Sequence, residues 1–416
     1  MTAAVTLADI RAAAARIHGR VLRSPCPRSI PLSELVGAEV FCKLDLFQRT
    51  GSFKERGACN ALLLLDDAQR AHGVVAASAG NHALGLAYHG KLLGIPVTVV
   101  MPRFAPLVKV ATCRRLGARV ILEGDTFDDA RQLAVEIAAR DGLTRVHGFD
   151  DARVIAGQGT MSLEILEDVP DADALVVPTG GAGLVAGVAV AAKALRPDIK
   201  IVAVETAAAP SFSASLAAGR PTRVPIRPTL ADGLAVGLVG ELPFAIAAPL
   251  VDRVVTVDEA DVSLAVLRLL ELEKTVVEGA AASALAAVLS GHCPELAGQK
   301  VVLLLCGGNI DLTILDRVID TGLVADGRRW RFAARISDRP GGIARLTAAI
   351  AAAGASVREI VHDRAFSGAD VFSTGVDVTV ETAGHDHVAA LAAALTREGF
   401  VVRPMAAVGP GSSARG

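Results

Sequence analysis

At 416 residues, 52% hydrophobic and 21% charged, the chain is too long for one core and too apolar for a disordered polymer, so two or three packed units are expected. A formal net charge of -2 gives no electrostatic reason for a nucleic-acid or membrane partner and leaves a small molecule as the default ligand. Six cysteines (Cys26, Cys42, Cys59, Cys113, Cys293, Cys306) without CxxC spacing read as reduced thiols of a cytoplasmic protein.

Met1 to Gly19 lacks an apolar h-region and later apolar runs are short, so neither secretion nor membrane spanning is predicted. Thr6 with Asp9 predicts a capped helix to about Ile17, and Pro25, Pro27 and Pro31 then predict an extended connection. From Val40, β-branched runs alternate with helical stretches: 74–77, 97–100, 119–122, 175–177, 201–204, 254–257 and 301–305. That alternation predicts buried parallel sheets in a doubly wound α/β architecture. After a shift at Asp326-Gly327-Arg328-Arg329, strand 330–337, helix 342–353, strands 356–363 and 371–380, helix 385–398 and strand 400–403 predict a βαββαβ unit over 326–404, followed by a disordered tail at 405–416.

Amine chemistry on amino acids needs a lysine that can form an imine, with fixed groups for a phosphate, a ring and a carboxylate. Lys54 alone would read as a solvated surface residue. Its setting argues otherwise: Thr50, Gly51 and Ser52 form a polar turn, Phe53 supplies an apolar face, and Gly57 follows where a helix should begin. Ser78-Ala79-Gly80-Asn81-His82 follows a strand, so main-chain N–H groups at a helix start could bind a substrate carboxylate and Asn81 could donate to a cofactor hydroxyl; an ordinary strand-to-helix turn is the alternative.

Thr179-Gly180-Gly181-Ala182-Gly183-Leu184 lets successive N–H groups converge on a phosphate. Gly181, Gly183 and Gly187 also mimic a dinucleotide fingerprint with Glu205 downstream, a pattern that leaves the Lys54 element unexplained. Cys306-Gly307-Gly308-Asn309 ends a strand where α/β sheets bind ligands; Cys306 reads as a buried thiol or, on its position and flanking glycines, as a ligand contact. Glu278-Gly279-Ala280-Ala281 opens a small-residue helix that suits close packing or a place beside the cofactor. His385 and His387 lack further metal ligands nearby and read as solvent-facing.

With these segments assembled, residues 5 to 322 resemble the threonine dehydratases, of the fold-type II group that uses pyridoxal phosphate; Val154 to Thr160 and Ala231-Asp232-Gly233 add to the match. The resemblance implies a catalytic region 1–325 of two doubly wound subdomains, the smaller at about 50–150 inserted in the larger. It implies Lys54 as the imine-forming catalytic residue, Phe53 on the ring, Asn81 at the ring hydroxyl, Gly180, Gly181, Ala182, Gly183 and Leu184 around the phosphate, Gly233 and Glu278 near the cofactor, and Cys306 facing the ring nitrogen. The family more often has Ser at 306 and Gly at 182 and 281. Ser78 through His82 would bind substrate, and Ala79 replaces the serine with which related serine racemases move a second proton. Glu205 matches an acid that in some relatives helps hold a monovalent or divalent cation. Residues 329–403 resemble an ACT domain, with Asp338, Arg339, Pro340, Gly341 and Gly342 at its effector loop, which implies a homo-oligomer (dimer or tetramer) controlled by an amino acid such as isoleucine or valine. The activity implied is deaminating dehydration of L-threonine, with L-serine as a further substrate; a serine dehydratase or serine racemase on the same scaffold is the alternative.

Overall fold

The computed structural model describes residues 5–362 and 372–405. Residues 406–416 of the expected tail, and positions 363 and 371 at the ends of two expected strands, lie outside the described residues. The chain divides into two compact units between Asp311 and Leu312.

In the first unit, helix Leu7–Ile17 starts at Thr6, whose side chain exchanges bonds with Asp9 in a capping box. Pro31 departs from expectation: it lies in the first turn of helix Ile30–Val36, capped by Ser29, where the missing N–H costs nothing. Two sheets follow. The larger runs Arg28–Ser29, Glu39–Lys43, Lys300–Leu304, Ala174–Pro178, Lys200–Thr206, Arg253–Val257 in spatial order and is parallel except for its first short strand. The smaller, Arg119–Leu122, Val97–Met101, Val74–Ala77, Thr144–Arg145, is parallel throughout. Ala174–Pro178 and Val97–Met101 are buried at every position, so helices cover both faces and the sequence shows continuous apolar runs rather than alternation.

Helix Lys54–Leu63 joins the two sheets' territories. Gly57 does not mark its start but sits inside it, where a Cβ would lie 2.6 Å from Gln158 Nε2; a Cβ on Gly157 of helix Ala152–Asp168 would lie 2.6 Å from Gly57 Cα. These two glycines let the helices cross with their backbones nearly touching. Two residues after Lys54, and so on the other side of the helix, buried Arg56 forks onto Asp45 (2.7 Å to each oxygen) and onto Glu164 (2.6 and 2.8 Å), and Lys43 Nζ also reaches Glu164 at 2.6 Å. Two cations and two carboxylates thereby pin the helix to strand Glu39–Lys43 and to helix Ala152–Asp168.

In the second unit, helix Leu312–Ala325 precedes strand Arg329–Ser337, helix Gly342–Ala352, strands Ser356–His362 and Ser373–Glu381, helix His385–Arg397 and strand Val401–Pro404. After the first helix the order is βαββαβ, with an antiparallel sheet in the order Ser356–His362, Ser373–Glu381, Arg329–Ser337, Val401–Pro404. Alternate residues Phe332, Ala334 and Ile336 pack with Leu346, Val378 and Leu391 as its core.

Candidate active site

Segment Thr50–Phe53 is zipped to the end of strand Lys300–Leu304. Phe53 N donates to Cys306 O at 2.9 Å, Gly308 N to Gly51 O at 2.9 Å, and Ser52 bridges Gly307. Gly51 is required here: its φ is +77°, and a Cβ would lie 2.4 Å from Asn309 Oδ1. The zipper delivers Lys54, at the start of its helix, beside the carboxyl ends of the larger sheet.

Lys54 Nζ donates to Gly148 O at 2.7 Å and lies 5.0 Å from the Phe53 ring centre. Desolvation lowers its pKa to about 8, partly opposed by Cys306 and Glu278. Burial acts oppositely on the acids: Glu278, 5% exposed, is pushed up to about 7, and the Cys306 thiol is held well above its ordinary value. His82, whose Nε2 faces Val146 O at 3.1 Å, and His147 are driven down to about 3 and about 4, chiefly by desolvation, so both rings stay neutral.

Gly148 precedes Phe149, which packs against the glycine loop at 180–184. Phe149 fills the space that side chains at 181 and 183 would need: Cβ atoms there would lie 2.4 Å from its ring and 2.8 Å from its backbone. Gly180 abuts Gly233 O (3.1 Å for a Cβ), and Ala182 adopts φ 69° as the cap of helix Gly183–Leu195. Leu184 lies in the first turn, where N–H groups lack intrahelical partners and the helix dipole favours an anion. Gly187 serves packing, since a Cβ there would lie 2.3 Å from Ile155 O; the glycine spacing that mimics a dinucleotide fingerprint is thus explained by helix contact.

Ser78 Oγ accepts from Gly80 N and Ala83 N, both at 3.3 Å, and so takes up two N–H groups at the start of helix Asn81–Leu93, whose N-cap is Gly80; Ala79 and Gly80 are half-buried beside it. Asn81 Nδ2 donates to both Glu278 oxygens at 2.9 and 3.1 Å, and its Oδ1 accepts from Asn309 Nδ2 at 2.9 Å. Asn309 Nδ2 also donates to Thr50 O at 2.6 Å. Thr50 Oγ1, Ser52 Oγ and His82 Nδ1 are buried without a protein partner.

Phe53, Lys54, Asn81, Glu278 and Cys306 therefore meet at one place, connected through Gly148 and Phe149 to the glycine loop at 180–184. Glu205, near the carboxyl end of strand Lys200–Thr206, accepts from Phe212 N (2.9 Å), Ser213 N (3.1 Å) and Ser213 Oγ, holding the start of helix Ser211–Ala218, and burial raises its pKa. Among the described residues, no three His, Cys, Asp or Glu side chains assemble as a metal cluster. Residues Asp338 to Gly342 belong to the second unit, where they line an open cavity of about 250 Å³ with Ser337 and His362. His385 is exposed and its Nε2 faces Ala325 O at 3.0 Å; His387 is half-buried against Ala353 O at 2.9 Å.

Sequence reasoning missed Gly148 and Phe149, and quoted Asn309 without giving it a part. A main-chain carbonyl carries no side-chain signal, and Phe149's role appears only once Gly181 and Gly183 are placed against it.

Residues 17–307 match the family model described as pyridoxal-phosphate dependent enzyme. An L-threonine ammonia-lyase of Thermotoga maritima is 44% identical over 399 residues, covering 96% of this chain and 99% of that one. Among solved structures, processed threonine deaminase isoform 2 of Solanum lycopersicum superposes with a TM-score of 0.72 at 36% identity (76% of this chain, 92% of that one), and maize serine racemase with 0.73 at 37% (77% and 99%). No helix among the described residues is long and apolar enough to cross a membrane. A desolvated lysine, a glycine-lined helix start and a family model spanning both sheets agree, and the chain belongs to the pyridoxal-phosphate dependent enzymes, in their threonine ammonia-lyase branch.

Proposed function

We propose that this chain converts L-threonine to 2-oxobutanoate and ammonia, and L-serine to pyruvate and ammonia. The observation that carries the reading is a lysine amine brought to a pKa of about 8 inside a glycine-lined site. The residues fit pyridoxal phosphate: packing against Phe149 keeps positions 181 and 183 free of side chains, and the main-chain N–H groups at the helix start beside them suit a phosphate. When bound, that group supplies an aldehyde for imine formation and a ring that draws electrons from the α-carbon.

The chain's own residues supply the rest. At neutral pH roughly a tenth of Lys54 is unprotonated and nucleophilic, far more than for an ordinary lysine. The same Nζ is the group that removes the substrate's α-proton. N–H groups at the start of helix Asn81–Leu93 receive the substrate carboxylate, with the unpaired hydroxyls of Thr50 and Ser52 alongside. Neutral His82 adds no competing charge. The Cys306 thiol, kept protonated by burial, is a weak donor that cannot hold a proton on a ring nitrogen as a carboxylate would, which favours elimination over a long-lived carbanion. The α-proton and β-hydroxyl leave as water, the resulting enamine becomes an imine, and water hydrolyses it to the 2-oxo acid and ammonia.

Similarity to maize serine racemase keeps racemisation as a second reading, and Ala79 weighs against it because a methyl group cannot move a proton on the substrate's other face. The C-terminal unit enters this reading as an ACT-like regulatory module of a homo-oligomer, with Asp338 to Gly342 at the site of isoleucine or valine; the open cavity at the N-terminus of helix Gly342–Ala352 supports it. Initial rates of 2-oxo acid formation from threonine and serine, with and without isoleucine, together with chiral analysis for D-serine, test both parts. D-Serine without 2-oxo acid would transfer the assignment to the racemase, and rates indifferent to isoleucine and valine would remove the regulatory part.

A further inference from the structure

Four groups form a directed hydrogen-bond relay across the site: Thr50 O, Asn309, Asn81 and Glu278. Its direction is fixed at one end by chemistry that cannot reverse. Thr50 O is a main-chain carbonyl and only accepts, so Asn309 must turn its NH2 toward it. The same NH2 then faces Asn81, which must answer with its oxygen, and this leaves Asn81's own NH2 for Glu278. Glu278 cannot set that direction, because with a pKa near 7 it is an acceptor in one protonation state and a donor in the other. Two glycines make room for the relay: a Cβ at Gly51 would strike Asn309 and one at Gly307 would strike Glu278.

We propose that Asn309 is a positioning residue that locks the Asn81 amide in one of its two flip states, so that an acceptor entering beside Glu278 meets an N–H donor rather than a carbonyl oxygen. The inference deepens the proposed function and rests on it, since the acceptor there is the cofactor's ring oxygen. Asn309 reacts with nothing; it acts through Asn81.

The test compares Asn309→Asp, Asn309→Ala and the double variant Asn309→Asp with Glu278→Gln in the full chain, each titrated with pyridoxal phosphate by visible absorption and melted with and without it. Asn309→Asp turns a donor into an acceptor and forces Asn81 to flip. The double variant then satisfies both side-chain contacts in the reverse direction, with the introduced glutamine amide donating to the Asn81 oxygen, and at pH 8.5, where Glu278 of the parent is ionised, total charge is unchanged. The expected results are cofactor binding weakened by about tenfold or more in both single variants, a shifted absorption maximum in Asn309→Asp, and a double variant that regains thermal stability but not affinity. A double variant that regains both, or an Asn309→Ala protein that binds as the parent does, would show that direction is irrelevant and overturn the proposal. If Asn309→Asp does not fold, Asn309→Ala alone decides between these outcomes. Failure of the parent protein itself to give a visible complex would instead count against the proposed function.

Discussion

Glu278 and Gly307 compete for one space: a Cβ at position 307 would lie 2.0 Å from Glu278 Oε1 and 2.5 Å from its carboxyl carbon. Glu278 N also donates to Gly307 O at 3.0 Å, so neither backbone can retreat without breaking a bond. Gly307→Ala should therefore push the carboxyl group away from Asn81 at a cost of about 1–3 kcal/mol in stability. Because the displaced group belongs to the site, cofactor affinity should fall at least tenfold while far-ultraviolet dichroism stays native. Cofactor titration beside a denaturant melt separates the two, and an alanine variant with full affinity would show that Glu278 has room to move.

Glu278 also predicts a pH dependence with a definite sign. Desolvation raises its pKa from 4.5 to about 7, so the folded state holds a proton that the unfolded chain releases. Its contribution is complete below about 4.5 and lost as pH rises through about 7, a change of about 3 kcal/mol across that window. Glu278→Gln cannot titrate and should flatten this part of the stability profile of cofactor-free protein between pH 4.5 and 7. An unchanged slope in the variant would assign the titration to another group.

Lys54 is lowered from 10.5 to about 8, and only its neutral form attacks an aldehyde. The rate at which cofactor-free protein captures pyridoxal phosphate should climb with pH and level off above about 8, with capture at pH 7 several hundredfold faster, roughly, than an unperturbed lysine allows. Lys54→Ala should lose both turnover and the visible absorption of the bound cofactor. A capture rate still rising steeply above pH 10 would mean that the amine is solvated.

The central strands of the two parallel sheets could be read in the sequence because helices bury both of their faces, which turns residues such as Ala174 to Pro178 into an unbroken apolar run. The site's anchor points were legible for another reason: glycines at 181, 183 and 307 are excluded volumes written as residue types. Four things escaped. Pro31 looks like a helix breaker unless its position in the first turn is known, and Gly57 looks like a helix start until Gly157 is placed against it. Gly148 holds Lys54 through a carbonyl oxygen, which every residue has. The relay through Asn309 depends on a main-chain carbonyl 259 positions away and a side chain 228 positions away in sequence, so its direction is a property of the folded chain alone.

Arg56 carries the heaviest structural consequence away from the reacting groups. It is fully buried between two carboxylates, and its removal leaves buried Asp45 without a cation while Glu164 keeps only Lys43. Arg56→Ala should destabilise the protein by about 3–5 kcal/mol, while Arg56→Lys, which keeps the charge but not the fork, should lose less. Urea midpoints rank the two. An alanine variant within about 1 kcal/mol of the parent would indicate that water enters and solvates the abandoned carboxylates.

Ala182 offers the opposite kind of change. Its φ of 69° places a Cβ in the left-handed region, at an expense of about 1–2 kcal/mol that glycine would avoid. Glycine also frees the unfolded chain, which returns about 0.4–1 kcal/mol of that gain, so Ala182→Gly should stabilise by about 0.5–1 kcal/mol. The strain belongs to the loop between Gly181 and Gly183, and its N–H groups point the same way in either variant, so cofactor affinity should stay within about threefold. Paired denaturant melts and cofactor titrations measure both quantities. A glycine variant that gained stability yet bound the cofactor much more weakly would mean that the alanine methyl group, by stiffening the turn, holds the phosphate-binding amides in place.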